Sequence, residues 1–260
     1  MTNVLYVNHK AQKCGVYEFG KEIGLLLEAS KKFNIKYVEC DSFAELTAYF
    51  KLIKPGIILY NYHPSTMQWL LPSTRFKPYK TYYLNAVQIG TIHEVYQEVA
   101  DSADNNMFDF HIGPDPTLLL KNPLVYKTGR LLPKKVREVE VTNNIPVIGS
   151  FGFATPNKGF EKIITLVQNE FDEAIINLNI PFAKFGDTYG QNAQKIASNC
   201  KNLVTKKGIV LNINHDYLGK ENLISFLSKN TLNIFLYDEV ANRGISSATD
   251  WALASGRPMA

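Results

Sequence analysis

The chain has 260 residues, of which 45% are hydrophobic and 20% charged, as in an ordinary globular protein of one large or two average domains. The net charge is only +4. No lysine- and arginine-rich run interleaved with aromatic residues occurs, so nucleic acid is not an expected partner. No apolar stretch reaches about 18 residues, so no membrane-spanning helix is expected.

Cysteine usage and the first residues bear on the cellular compartment. Cys14, Cys40 and Cys200 are odd in number and widely spaced, which argues against a disulfide framework or a zinc site and for a reducing environment. The sequence begins directly with an apolar strand pattern, so no signal peptide is expected. These features predict a cytoplasmic protein.

The first half of the chain alternates between apolar strands and helices. A strand at 4–7 precedes a helix over about 16–29. Five apolar residues of that helix form one stripe, as burial of one face requires: Val16, Phe19, Ile23, Leu26 and Leu27. Ser42 is predicted to cap a second helix, with Glu45 completing a capping box. Further strands are predicted at 37–40, 56–62, 81–89, 108–112 and 124–127.

The second half repeats this alternation after a charged segment at 134–145, which is predicted to link a domain over 1–133 to one over 146–260. Strands are predicted at 146–151, 174–180, 209–213 and 231–237. Helices are predicted over 158–171, 190–199, 220–228 and 247–255. Such alternation is typical of parallel sheets covered on both faces. The predicted fold class is therefore α/β, with two tandem doubly wound Rossmann-like domains.

Two glycine-bearing turns in the second half each lead into a helix. The first contains Lys158 and Gly159, and the second reads Arg243-Gly244-Ile245-Ser246-Ser247. A helix N-terminus offers unpaired backbone N–H groups and a positive dipole end, which suit a phosphate group. The pair of turns predicts a nucleotide-type ligand held between them.

This order of motifs resembles the GT-B glycosyltransferases, and among them the large glycosyltransferase group 1, the mostly retaining and glycogen-synthase-like sugar-nucleotide transferases. Gly15, after the first strand, resembles that family's glycine loop. The segment Gly90-Thr91-Ile92-His93 resembles its Gly-Thr-x-His segment. The resemblance covers essentially the whole chain. It implies a second domain that is incomplete at its C-terminus, since the sequence ends where another strand is expected.

The resemblance also implies roles for single residues. The backbone at Gly15 approaches the donor phosphates, and His93 contacts the donor sugar. Lys158 neutralises the diphosphate, which Arg243, Gly244, Ile245, Ser246 and Ser247 also bind. The family's two glutamates around this last loop are replaced by Arg243 and Trp251, with Asp250 beside the second.

Several other polar residues lie in or beside predicted strands. His63 follows an apolar strand and is a second catalytic candidate, because ligands bind at the carboxyl edge of such sheets. Packing at the strand end is the alternative reading of His63. Asp109 is a further candidate base, and His111 could also face the cleft. His9 and His215 are expected to be solvated loop residues.

The predicted reaction transfers a sugar, in the manner of a hexosyltransferase, from a UDP- or GDP-linked donor to a hydroxyl of a glycan, a lipid-linked sugar or a small molecule. Polysaccharide biosynthesis is the expected setting. Neither a metal nor a further cofactor is expected, and loose contact with an anionic membrane is possible. One alternative is a catalytically degenerate protein that binds nucleotide sugar or glycan. A nicotinamide-dependent oxidoreductase is less favoured, because no Gly-x-Gly-x-x-Gly follows a strand.

Overall fold

The computed structural model describes residues 1–71, 85–93, 95–134, 144–183, 186–239 and 246–260. The chain divides into two compact units, with the boundary between Leu131 and Leu132. Most of the predicted linker, residues 135–143, lies outside the described residues. No helix within the described ranges combines the length and the apolar character needed to cross a membrane.

Within the described residues, the first unit contains a parallel sheet of six strands: β1 (Thr2–Asn8), β2 (Phe33–Glu39), β3 (Ile57–Tyr62), β4 (Val87–Ile92), β5 (Phe110–Gly113) and β6 (Val125–Lys127). Their order is β2-β1-β3-β4-β5-β6. The helices are α1 (Gly15–Glu28), α2 (Phe43–Ile53) and α3 (Gln97–Ser102), with a short 3-10 turn at Gln68–Leu70. The chain leaves β1 toward β2 and later returns on the other side as β3. A topological switch point therefore lies between the carboxyl ends of β1 and β3.

Both faces of this sheet are covered, as its apolar strands require. On one face Leu5 and Val7 of β1 pack in a core with Leu46 of α2. On the other face Val4 and Tyr6 pack with residues of α1. This is the doubly wound arrangement that the sequence predicted.

Helix α1 packs partly through the predicted stripe, since Ile23 and Leu27 contact the core around Val4 and Tyr6. Its buried residues are Tyr17, Gly20 and Gly24, whereas Leu26 is 56% exposed. A Cβ atom at Gly24 would lie 2.2 Å from the ring of Tyr37. The helix backbone thus approaches the sheet so closely that glycine occupies the contact positions, which a count of apolar residues does not detect.

The predicted cap of α2 is present in a modified form. The Ser42 hydroxyl accepts a hydrogen bond from the Glu45 N–H at 3.3 Å. The Glu45 carboxylate accepts one from the Asp41 N–H at 2.9 Å, where a standard capping box would use the N–H of Ser42 itself. The helix start was therefore predicted correctly, and the reciprocal bond is displaced by one residue.

The second unit has four parallel strands among the described residues: β7 (Val147–Phe151), β8 (Ala174–Asn179), β9 (Ile209–Asn214) and β10 (Leu232–Asn233), in the order β10-β7-β8-β9. The helices are α4 (Phe160–Glu170), α5 (Gln191–Leu203), α6 (Lys220–Ser228) and α7 (Ala248–Ala254). The chain reverses direction across the sheet between β7 and β10. The carboxyl ends of these two strands form the switch point of this unit.

Several predicted elements differ from the structure, among them β2, which spans Phe33–Glu39 and not 37–40. The strand predicted at 231–237 is reduced to β10, because the chain then turns onto the loop that follows β7, where the Asp238 N–H donates to the Asn157 carbonyl at 3.0 Å. Helix α4 begins at Phe160 because Gly159 is left-handed, with φ 68°. Strand β4 begins at Val87, and residues 81–84 of the predicted strand lie outside the described residues.

Candidate functional site

The carboxyl edge of the first sheet carries a hydrogen-bonded network across three neighbouring strands. Asn8 is the last residue of β1, Asn61 lies near the end of β3, and His93 follows β4 directly. The Asn61 amide nitrogen donates to the Asn8 side-chain oxygen at 2.9 Å. Asn61 Oδ1 lies 2.6 Å from His93 Nε2. The network thus spans the switch point and positions His93 beside it.

His93 is held as a neutral ring. The Phe19 ring of α1 packs edge-on against it, with centroids 4.9 Å apart. Burial lowers the pKa of His93 to about 3, and the neighbouring His63 and His9 act in the same direction. A neutral imidazole has one donor and one acceptor nitrogen. At physiological pH, the His93 ring is therefore uncharged and can interact through hydrogen bonds only.

His9 is buried, so the prediction of a solvated loop residue was wrong. Its side chain has no exposed surface and packs edge-on against the Tyr17 ring of α1, with centroids 5.8 Å apart. Its Nδ1 accepts a hydrogen bond from the Ala11 N–H at 3.2 Å, and its Nε2 has no partner within the described part of the chain. Burial lowers the pKa of His9 to about 4, an effect that His63 reinforces and that Asp41 and Glu39 oppose.

The other predicted residues of this edge are His63 and Gly15. His63 follows β3 and is half-buried, and its Nδ1 accepts from the Ser65 N–H at 3.1 Å. Gly15 is the exposed first residue of α1, after an extended Cys14 that provides no side-chain cap. The left-handed residue of this loop is Lys13, with φ 57°. Both His63 and Gly15 therefore lie at the carboxyl edge, and Gly15 is not required there by a left-handed backbone.

Asp109 lies elsewhere than expected, and His111 and His215 make contacts that the sequence did not predict. Asp109 precedes β5, and its carboxylate accepts from the Gln88 N–H at the start of β4 at 2.8 Å. Asp109 is thus at the amino edge of the sheet and is not a candidate base at the site. His111 contacts the Asp104 carbonyl at 2.8 Å. His215, in the second unit, is half-buried and stacks on Phe182.

In the second unit, Lys158 lies at the switch point between β7 and β10. Its ammonium group is 3.2 Å from the Ser246 hydroxyl oxygen, to which it donates. It also lies over the Tyr237 ring, 4.1 Å from the centroid, a cation–π arrangement. Tyr237 follows β10, and Ser246 precedes α7. The lysine is therefore oriented by residues from two further segments of the same unit.

The loop that carries Lys158 is fixed by its glycine. Gly159 has a left-handed backbone, and a Cβ atom there would lie 2.0 Å from the Leu236 carbonyl oxygen. Asn157 is also left-handed, with φ 71°. The loops after β7 and β10 thus touch through their backbones. No larger residue could replace Gly159 without separating them.

The second predicted phosphate turn is described only in part. Ser247 is the N-cap residue of α7, and the Ser246 hydroxyl accepts from the Ala248 N–H at 3.4 Å. Arg243, Gly244 and Ile245 lie outside the described residues. Asp250 is buried, and the ring of Trp251 lies 5.6 Å from the Lys220 ammonium group. At the position of the family's second glutamate, the side chain thus packs toward α6.

Other groups of the second unit could contact an anion or a ring. An open cavity of about 410 Å³ borders the Lys158 loop, and its lining includes Lys162 and Lys195. Phe153 stacks on Tyr217 with centroids 6.4 Å apart, beyond the ends of β7 and β9. No three His, Cys, Asp or Glu side chains in the described ranges are grouped so that they could hold a metal ion.

No protein-family model matches the chain, and no curated protein sequence matches it either. Solved structures do. A glycosyltransferase from Rickettsia africae ESF-5 is 15% identical with a TM-score of 0.59, covering 99% of this chain and 78% of that chain. HepE from Anabaena, solved with UDP and glucose, is 11% identical with a TM-score of 0.59, and the match covers 100% of this chain and 80% of that chain. Sucrose-phosphate synthase from Thermosynechococcus elongatus is 12% identical with a TM-score of 0.62, and the match covers 100% of this chain and 80% of that chain. The chain has the GT-B fold.

Three polar residues at the two switch points of this GT-B chain were missed by sequence reasoning: Asn8, Asn61 and Tyr237. Asn8 ends an apolar strand and Asn61 is the second-last residue of another. A side-chain amide at such a position indicates a polar contact at the carboxyl edge of the sheet. Tyr237 is the last residue of the strand predicted at 231–237, and in the structure it lies beyond the end of β10. Its contact with Lys158 depends on the pairing of β10 with β7, which the sequence does not display.

Proposed function

We propose that this chain is a glycosyltransferase that moves a sugar from a nucleoside-diphosphate sugar to a hydroxyl group. The observation that carries the proposal is the arrangement of Lys158, Ser246 and Tyr237 at the switch point of the second unit. Ligands of doubly wound sheets bind at this kind of position. The GT-B fold and the binding of UDP and glucose by HepE support the same reading.

The second unit would bind the nucleotide. The Lys158 ammonium group would contact the diphosphate as a point charge, and the Ser246 hydroxyl beside it would add a hydrogen bond. Arg243, Gly244, Ile245 and Ser247 are proposed to complete the phosphate site. The departing diphosphate gains negative charge in the transition state. Fixed cations stabilise that charge without reorganisation, so the proposed reaction requires no metal.

The first unit would orient the sugar and the acceptor. His93 and His63 lie at its carboxyl edge, near Gly15, which is proposed to lie close to the donor phosphates. A neutral His93 suits contact with an uncharged sugar hydroxyl, because it offers hydrogen bonds without attracting an anion. A glycan, a lipid-linked sugar or a small molecule is the proposed acceptor. A cytoplasmic location is proposed, since nucleotide sugars are the donors and all three cysteines are free thiols.

Calorimetric titration tests the proposal. UDP, GDP, ADP, dTDP and NAD are titrated into the full chain, and the matching nucleotide sugars are then assayed for release of nucleoside diphosphate. We expect selective binding of UDP or GDP and turnover of one sugar donor. Selective binding without turnover, with a panel of hydroxyl acceptors present, would favour the degenerate binding protein. Binding of NAD alone would overturn the proposal in favour of an oxidoreductase.

A further inference from the structure

Asn61 connects the two sides of the switch point in the first unit. We propose that Asn61 is a positioning residue for His93. Its amide oxygen holds the imidazole in one orientation and one tautomer, with the proton on Nε2 and Nδ1 left to accept a hydrogen bond from a sugar hydroxyl. The role of Nδ1 rests on the proposed glycosyltransferase function, whereas the tautomer does not.

Backbone atoms fix the orientation of the two amide groups, because the donor or acceptor character of a backbone atom is known. The Asn8 side-chain oxygen accepts from the His9 N–H at 3.0 Å. The Asn8 nitrogen donates to the Tyr17 carbonyl at 3.0 Å. The same Asn8 oxygen faces Asn61 at 2.9 Å, so the facing atom must be the Asn61 nitrogen. That nitrogen also donates to the Val16 carbonyl at 2.8 Å.

Both amide hydrogens of Asn61 are therefore used, and its oxygen is the atom that faces His93. The oxygen lies 2.6 Å from Nε2 and can only accept, so Nε2 must carry the proton. Rotating the amide by half a turn would place its oxygen against the oxygens of Asn8 and Val16. Within the described residues, His93 Nδ1 has no hydrogen-bond partner in the protein. In the neutral ring, Nδ1 is an acceptor.

The packing of α1 preserves this arrangement. A Cβ atom at Gly20 would lie 2.3 Å from the Asn61 nitrogen and 2.6 Å from the Asn8 oxygen. Glycine at this position therefore gives the amide pair its space. Phe19, the preceding residue, holds the His93 ring from the side, at an interplanar angle of 87°. The imidazole is thus constrained in position by Phe19 and in protonation by Asn61.

The tautomer can be measured without any substrate. The full chain is labelled with 15N-histidine, and a side-chain 1H–15N correlation spectrum is recorded at neutral pH, with His93 assigned through His93→Gln. We expect a protonated Nε2, an unprotonated Nδ1 and a slowly exchanging Nε2–H proton. A proton on Nδ1, or averaged shifts from exchange between tautomers, would overturn the proposal.

Variants test the positioning role. Asn61→Leu removes the acceptor at similar volume and should abolish the slowly exchanging signal. It should lower kcat roughly tenfold to hundredfold, with UDP affinity unchanged, because a misplaced group slows the reaction without altering nucleotide binding. Asn122→Leu is the matched control, since the Asn122 amide also donates to backbone carbonyls of the first unit but does not contact His93.

The results separate this proposal from the proposed function. If the expected tautomer is found and no donor is turned over, the glycosyltransferase function fails while the tautomer assignment stands. If a donor is turned over and Asn61→Leu changes neither the Nε2–H signal nor kcat, the positioning role is overturned and the function stands. If Asn122→Leu lowers kcat as much as Asn61→Leu, the loss reflects general destabilisation and the positioning role is rejected.

Discussion

Gly159 and Leu236 lie so close that a single added Cβ atom at residue 159 would be 2.0 Å from the Leu236 carbonyl oxygen. This contact joins the loops that follow β7 and β10, two neighbouring strands of the second sheet. Lys158 immediately precedes the contact, and Tyr237 immediately follows it. The position of the lysine over the tyrosine ring therefore depends on a glycine that could be mistaken for an ordinary helix start.

Gly159→Ala should destabilise the second unit and weaken UDP binding. Two effects add: a left-handed backbone costs an alanine about 1 kcal/mol, and the clash with a backbone oxygen cannot be relieved by a side-chain movement. Gly186→Ala is the matched control. Gly186 is also left-handed, with φ 80°, but a Cβ atom there meets nothing within 4 Å. Thermal unfolding should show a clearly larger loss for Gly159→Ala, and equal losses would contradict the close contact.

Lys158→Met should weaken UDP binding roughly tenfold to hundredfold, the loss expected for a hydrogen bond to a charged group, and leave uridine binding unchanged. Isothermal titration with both ligands measures the difference. Lys206→Met is the control, because Lys206 pairs with Asp172 before β8 and β9, at the amino edge of the same sheet. An equal loss for UDP and uridine in Lys158→Met would show that the lysine supports the fold and not the phosphate.

His93→Ala should lower kcat about a hundredfold, the scale of a lost orienting contact, with UDP affinity retained because the proposed nucleotide site lies in the other unit. Steady-state kinetics and titration of the same preparation separate the two effects. His111→Ala, a change in β5 of the same sheet, should keep the wild-type rate. An unchanged kcat in His93→Ala would remove His93 from the reaction.

The stability of the first unit should fall on acidification. His9 has a folded pKa of about 4, below the usual histidine value of 6.5. The unfolded chain therefore binds the proton first, and stability is present above pH 6.5 and lost as the pH falls toward 4. Between pH 7 and pH 5 the loss from His9 is about 2 kcal/mol, and His93 contributes with the same sign.

Guanidinium unfolding at several pH values measures this loss. The chain has two tryptophans. In a Trp251→Phe background, the fluorescence of Trp69 therefore reports on the unfolding of the first unit. His9→Gln should reduce the dependence on pH between 5 and 7. Above pH 7.5 the free energies of unfolding of the variant and its parent should change with pH in parallel. If His9→Gln leaves the pH dependence of the free energy of unfolding unchanged below pH 7, His9 does not remain neutral in the folded chain.

The sequence by itself determined the elements and much of their chemistry. Apolar periodicity located β3 and α6, and Ser42 located the start of α2, because these signals depend on residues within a few positions of one another. The same applies to Lys158 and Gly159, whose spacing indicated a turn before a helix. The prediction of two doubly wound parallel sheets followed from strand and helix alternation and is confirmed.

Tertiary structure alone decided which strand ends meet. Asn61 reaches Asn8 across 53 positions and His93 across 32, because β3 lies between β1 and β4 in the sheet. The burial of His9 and the amino-edge position of Asp109 also depend on strand order and on how closely α1 approaches the sheet. Hydrophobic periodicity is a local property, whereas neighbours in a sheet are set by the packing of the whole unit. The identity of each strand-end residue was therefore visible in the sequence, and its partner became visible only in the fold.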